Sequence, residues 1–326
     1  MLSYFDAHCD TIYRCLETGE NSALDYGENR EAQRRYYAAS THLRENGGHI
    51  DLLRGKKFQR CAQFFALFHD AVEAPTDGMW AQCQRMHDFF LREMTDNADI
   101  ARHCRTGAEV DEAVSQGMVA ALLSIEGADL IDCDVHKIET VSGWGVRLLN
   151  PVWNRANVLS GTNAEEPERG LSAKGRDFIH VLEEHEIYPD VSHLSDAGFW
   201  DLVRMAKRPI VASHSNARAV CPHRRNLTDD QFRAIRDLGG VVGLNLYLDF
   251  VGQPTMDALV AHVEHFLALG GENTLCLGGD LDGCEALAAG MTGMQDAPKL
   301  YDALKARGYS EALLEDIFWN NLRRLI

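Results

Sequence analysis

The chain has 326 residues, 45% of them hydrophobic and 25% charged, ordinary proportions for a globular protein able to bury a large core. Its 49 acidic residues against 32 Lys and Arg give a formal charge of −17, which repels phosphate backbones and argues against nucleic acid as a partner. Nine cysteines, an odd count without C-x-x-C pairs, argue against a disulfide framework or a zinc ribbon, and no stretch approaches the ~18 apolar residues of a membrane span. The first residues enter a strand directly, without a basic and then apolar leader, so a cytoplasmic protein in a reducing compartment is expected.

Ser3-Tyr-Phe-Asp-Ala-His-Cys-Asp10 predicts a short buried strand at 3–7 ending in His8 and Asp10, whose i, i+2 spacing aims both side chains at one spot. Residues 15–57 read as a polar, insertion-like segment with a helical patch at 30–39. The continuous apolar run at 61–68 suits a strand buried on both faces, as in a parallel sheet. Helical spacing of Met79, Cys83, Met86, Phe90 and Met94 predicts a helix over 79–96. Strands are expected next at 119–125, ending in Glu126-Gly127, and at 146–149, followed by Asn150-Pro-Val-Trp-Asn154. After a helix over 174–185, the strand at 187–191 ends in Ser192-His193. Ser195 caps the next helix, and the strand at 209–212 ends in Ser213-His214. Thr228-Asp-Asp-Gln231 forms a capping box for a helix closed at Gly239-Gly240. Strands at 241–246 and 275–277, the second ending in Gly278-Gly-Asp-Leu-Asp-Gly283, alternate with a helix over 257–269. Helices over 297–307 and 311–323 finish the chain.

Eight strands separated by helical segments predict an α/β protein, a (β/α)8 TIM-type barrel in one domain over 1–326. In that fold the functional residues gather where the strands end. The strand ends here supply His8, Asp10, Glu126, His193, His214 and Asp280. Each residue alone is an ordinary strand-end or turn residue. Together, on one rim, they predict a metal site. Imidazole and carboxylate without thiolate suit Zn²⁺ or another first-row divalent ion. Five ligands exceed the set of one catalytic zinc and divide over two ions. A bridging Glu126 would join His8 and Asp10 on one ion to His193 and His214 on the other, with room for a bridging hydroxide. Cys9 faces the other side of its strand and reads as packing.

His8-Cys-Asp10, Ser-Ile-Glu-Gly at 124–127, Val-Ser-His at 191–193, Ser-His-Ser-Asn-Ala-Arg at 213–218, Arg-Arg-Asn at 224–226 and Gly-Gly-Asp-Leu-Asp-Gly at 278–283 resemble the membrane dipeptidase (renal dipeptidase) family of metallopeptidases. The match in order and spacing runs over nearly the whole chain. The resemblance implies an amidohydrolase-like barrel with two zinc ions on His8, Asp10, Glu126, His193 and His214. It implies a dipeptidase that often accepts a D-residue at the C-terminal position. It places the arginine for the substrate carboxylate at Arg225 and the acidic residue that handles the amine and protons at Asp280, with Asp282 as the fallback. These roles suit a dipeptide, whose carboxylate fits a planar guanidinium and whose ammonium fits a carboxylate. A small dipeptide is thus the expected partner, and a homodimer is compatible with the family.

Two departures stand out. The family's eukaryotic members carry a substrate-binding histidine where this chain has Trp153. Trp153 then reads as pocket wall, and Asn150 or Asn154 as an amide donor to a developing oxyanion. Nothing supplies the lipid anchor of the mammalian members. The alternatives are a related amidohydrolase acting on another small amide or ester, or a catalytically impaired metal- or peptide-binding homologue.

Overall fold

The computed structural model describes residues 2–16 and 41–326; the helical patch expected at 30–39 lies outside them. Among the described residues nine strands form one parallel sheet: β1 (Ser3–Asp6), β2 (Arg60–Phe68), β3 (Ala101–His103), β4 (Val119–Glu126), β5 (Val146–Asn150), β6 (Tyr188–Pro189), β7 (Val211–Ala212), β8 (Val241–Leu244) and β9 (Leu275–Leu277). The order β6-β5-β4-β2-β1-β9-β8-β7 is closed between β6 and β7 by a parallel bridge from Asp190 to Val211. Eight strands thus make a barrel, and the helices between them cover it, as the alternation of apolar runs and helical segments predicts.

β3 is not among the expected strands. It pairs only with the start of β4, outside the barrel, and its Ala-Arg-His carries no apolar run to signal it. The helices fall close to their expected places: Met79–Asp96, Ala173–Glu184, Asp196–Met205 and Met256–Ala268. The Ser195 hydroxyl accepts from Gly198 N–H, and Thr228 and Gln231 form the full capping box that opens Asp229–Asp237. The final helix is interrupted by a π turn at Asp316–Asn320.

Strand parity divides the core. Phe5, Ala62, Phe64, Ala120, Leu122, Leu148, Val211, Val241 and Cys276 form one buried cluster inside the barrel, plugged from below by Trp319 and Leu322 of the C-terminal segment. Side chains two residues further along the same faces emerge at the opposite, C-terminal mouth. On β4 that sequence is Ala120, Leu122, Ser124, Glu126; on β2 it ends in Phe68; beyond β8 and β9 it reaches Asn245 and Asp280. Two glycines let these strand ends close up: a Cβ on Gly243 or Gly278 would lie 1.9 or 1.7 Å from the Ser213 carbonyl oxygen. Among the described residues no helix is long and apolar enough to cross a membrane.

Candidate metal centre

β1 ends earlier than expected, at Asp6, and the chain then bends so that His8 and Asp10 lie just past the strand. The cause is the Asp6 carboxylate: Oδ1 accepts from His8 N–H (2.9 Å) while Oδ2 accepts from Gly279 N–H (2.9 Å) and Tyr4 O–H (3.0 Å). One buried side chain therefore turns the β1 end and ties it to the β9 end, which carries Asp280. Asp190 does the same across the barrel closure. Its Oδ1 accepts from Ser192 N–H (3.0 Å), Ser192 O–H (2.8 Å) and Ser213 N–H (3.1 Å), holding together the two segments that present His193 and His214.

Inside this frame the side chains converge. His8 Nε2 lies 3.2 Å from Asp10 Oδ2, 3.6 Å from Glu126 Oε2 and 3.9 Å from Asp280 Oδ1. Glu126 turns its other oxygen, Oε1, to His193 Nε2 at 2.8 Å and His214 Nε2 at 3.4 Å. Ligand atoms of His8, Glu126 and His214 lie within 4.8 Å of one another, as do those of His8, Asp10 and Asp280. His193 Nδ1–H donates to Asn154 Oδ1 (3.1 Å), which fixes the tautomer and leaves Nε2 as a lone pair facing the cluster. His214 Nδ1 shares a hydrogen bond with Ser213 Oγ at 2.7 Å.

All these groups are buried, and their mutual field is strong. Burial and then the cations Arg225 and His8 hold the His193 imidazole well below its ordinary pKa, and the same groups depress His214. Burial works against a proton on His8, but the carboxylates of Glu126 and Asp10 outweigh it and raise the imidazole to about 10. Burial, joined by Asp10, pushes Asp280 up, with His8 opposing. Two buried polar atoms in the cluster have no hydrogen-bond partner: Asp10 Oδ1 and Arg225 Nη1. A desolvated orphan of this kind is costly and marks where a ligand belongs.

The mouth opens as a cavity of about 430 Å³ lined by Asp10, Glu126, Trp153, Asn154, His193, Arg225 and Asp280 among others. Arg225 Nη2 donates to His193 Nε2 (2.9 Å), and burial lowers the guanidinium to about 10, still charged at neutral pH. Trp153 is half-buried in the wall, its ring 4.7 Å from that of Phe68. Asp280 adopts a left-handed backbone (φ 56°) that aims its side chain inward, with Oδ2 held by Asn245 Nδ2–H at 3.0 Å. Asp282, the fallback for that role, is taken up elsewhere: Oδ1 accepts from His49 N–H (2.7 Å) and Oδ2 from Thr11 O–H (2.6 Å). Asn150 is buried below the cavity and donates to the Asp190 carbonyl, which removes it as a donor to substrate. Asp6, Asp190 and Asn245 escape a search for ligands because none of them faces the reacting space. Their signal is a polar residue at a strand end, two residues ahead of a ligand or on the inward parity.

Imidazoles, carboxylates and an unpaired guanidinium edge at the C-terminal mouth of a (β/α)8 barrel define a metal-dependent hydrolase. Comparison with known proteins narrows the class. Residues 2–326 match the sequence profile of the membrane dipeptidase family, peptidase family M19, and the chain belongs to it. It is 34% identical over 265 residues to an uncharacterised protein of Klebsiella pneumoniae from the pqqA 5′ region, a stretch covering 77% of this chain and 96% of the relative. The M19 metallopeptidase dipeptidase AC superimposes with a TM-score of 0.86 at 29% identity, covering 99% of this chain and 97% of that one. A Rhodobacter sphaeroides metallopeptidase, solved with a phosphinate mimic of the dipeptide L-Ala-D-Ala, superimposes with a TM-score of 0.85 at 28% identity, covering 99% and 98%. An amidohydrolase of Pseudomonas aeruginosa shares the fold at 18% identity, with a TM-score of 0.78 and coverage of 99% and 95%. The protein is accordingly a metallopeptidase of the dipeptidase class.

Proposed function

We propose that this protein hydrolyses small dipeptides, including those with a C-terminal D-residue, at a binuclear zinc centre. The observation that carries the reading is the placement of Glu126, with one carboxylate oxygen toward His8 and the other toward His193 and His214. His8 and Asp10 would hold one ion and His193 and His214 the other, with Glu126 between them. The donor set fits: imidazole and carboxylate without a thiol, with Asp10 Oδ1 buried and unpartnered. Bound zinc supplies a Lewis acid for the scissile carbonyl and lowers the pKa of water beside it.

The chain's own residues would do the rest. Arg225 Nη1 is the free edge for the substrate carboxylate. Asp280, its proton affinity raised by burial and one oxygen held by Asn245, would receive a proton at the other oxygen and pass it to the leaving amine. Asn154 orients His193 and offers its remaining amide donors to the developing oxyanion. Trp153 walls the cavity where the eukaryotic relatives have histidine. The L-Ala-D-Ala mimic in the Rhodobacter neighbour supports the D-residue reading.

The test is metal content together with hydrolysis of a panel of L-L and L-D dipeptides by wild type and Glu126→Ala. Two zinc ions per chain in the wild type, and turnover lost in the variant, are expected. Two metals with no dipeptide cleaved would sink the substrate assignment. Fewer than two under zinc-replete conditions would undo the binuclear centre.

A further inference from the structure

We propose that the cavity selects dipeptides whose C-terminal residue bears a cationic side chain, lysine or arginine; this rests on the dipeptidase reading above. The starting point is Arg225. It lines the cavity, is 5% exposed, has a buried Nη1 without a hydrogen-bond partner, and its guanidinium carbon lies 5.3 Å from the centre of the Phe250 ring. A carboxylate docked on Nη1 therefore sets the residue that carries it beside Phe250.

The wall continues from there. Phe250 meets Tyr247 edge-on at 4.9 Å, and the Tyr247 phenol donates to Asp249 Oδ2 at 3.1 Å. Glu285 lines the cavity on the same side, and after burial its charge and that of Asp249 raise the phenol's pKa. The one phenol proton serves Asp249, and Glu285 lines the cavity beside it. Besides Arg225, the cationic candidates that line the cavity are Arg14, whose Nε donates to the Asp282 carbonyl at 2.6 Å, His223 and Arg224. His223 packs on Phe250 (4.6 Å) and accepts from Arg225 N–H at Nδ1. Burial and then the charges of Arg225 and Arg224 depress its pKa and favour the neutral ring. Arg224 is exposed at the rim.

Beside the substrate's carboxylate, then, stand two aromatic faces, Tyr247 and Phe250, and two carboxylates, Asp249 and Glu285. The faces suit the alkyl stem of a lysine or arginine, and the carboxylates suit its charged end. A neutral side chain gains nothing from the two negative charges, and an acidic one is repelled. The opposite wall differs. Tyr13, Phe68 and Trp153 pack together there, and Asp70 already accepts from Val72 N–H with Arg155 at 4.0 Å. On that side, which we assign to the N-terminal residue, the second lining carboxylate is Glu73, exposed to solvent.

The test compares kcat/KM for Ala-Lys, Ala-Gln, Ala-Glu and Lys-Ala on the zinc-loaded enzyme at low and high salt. Ala-Lys is expected to exceed Ala-Gln by about five- to tenfold, with Ala-Glu below both and the gaps shrinking as salt screens the wall. Lys-Ala should gain no such advantage. In the Asp249→Asn, Glu285→Gln double variant the Ala-Lys to Ala-Gln ratio should fall toward one. Equal rates for Ala-Lys and Ala-Gln, or a preference that survives the double variant, overturns the inference alone. If no dipeptide is cleaved, the dipeptidase reading falls and takes the inference with it.

Discussion

Replacing Asp190 by alanine tests whether the centre is held by the frame beneath it. The carboxylate is 1% exposed, and one of its oxygens accepts from Ser192 N–H, Ser192 O–H and Ser213 N–H. Alanine would leave three buried donors unmet. At roughly 1–2 kcal/mol each the loss comes to about 4 kcal/mol, a large share of the 5–15 kcal/mol that holds a folded domain. Ser192 and Ser213 directly precede His193 and His214, so their release also displaces both imidazoles. Urea denaturation should show the midpoint fall at unchanged slope, and zinc titration should show affinity lowered about 10–100-fold, the usual cost of losing a group that orients a ligand. Asp190→Asn keeps an acceptor oxygen and should stay within about 2 kcal/mol of wild type. If Asp190→Ala unfolds within about 1 kcal/mol of wild type and binds zinc as tightly, the frame argument is wrong.

Two further outcomes follow from the same hydrogen-bond pattern. His262 is fully buried; Nδ1 accepts from Ala217 N–H (3.1 Å), Nε2–H donates to the Val251 carbonyl (3.2 Å), and burial holds the ring neutral with a pKa of about 4. Its unfolded value is higher, so the unfolded chain binds more protons between pH 4 and 6.5. The stability this group contributes is full above about pH 6.5 and is lost as pH falls through that window, by up to ~3 kcal/mol. His262→Gln should flatten the pH dependence of the urea midpoint there; an unchanged slope would refute the assignment. Asn245→Ala removes the donor from Asp280 Oδ2 and from the His214 carbonyl (3.2 Å). Turnover should fall about 10–100-fold with KM nearly unchanged, because in the proposed mechanism Asp280 acts in the transition state and is loosened, while Arg225, the proposed carboxylate anchor, is not. A raised KM with intact kcat would count against it.

Much of this was legible in the residues. Continuous apolar runs such as 61–68 fixed the number and type of the barrel strands, because a parallel strand is buried on both faces and needs no alternation. The residues that converge at the mouth, His8, Asp10, Glu126, His193, His214 and Asp280, are those that come directly after those runs. The strand ends were less legible. Residues 187–191 and 241–246 read as full strands, yet β6 and β8 stop at Pro189 and Leu244. Beyond them, Asp190 and Asn245 take the backbone partners that a longer ladder would have used. Asp280 over Asp282 was likewise not decidable from Gly-Gly-Asp-Leu-Asp-Gly. The choice depends on Thr11 and His49, more than 230 residues away, which engage Asp282. The cavity wall formed by Tyr247, Asp249, Phe250 and Glu285 left no mark in the sequence, because it joins two loops that meet only in space.

These links run in series around the mouth. Asp190 ties the β6 end to the β7 end. From there Asn216 and Asn245 exchange side-chain and backbone hydrogen bonds (2.9 Å each), joining β7 to β8. Asn245 holds Asp280 on the β9 end, and Asp6 ties that end to β1 and His8. Every step is a buried polar side chain fastening a neighbouring strand end, so the positions of His193, His214, Asp280 and His8 are set by one another more than by any loop. The wall residues take little part in this chain; they come from the loops above it. A substitution at Tyr247 or Glu285 can therefore reshape the cavity wall without moving His8, His193, His214 or Asp280. A substitution at Asp6 or Asp190 cannot spare those side chains, whatever it does to the wall.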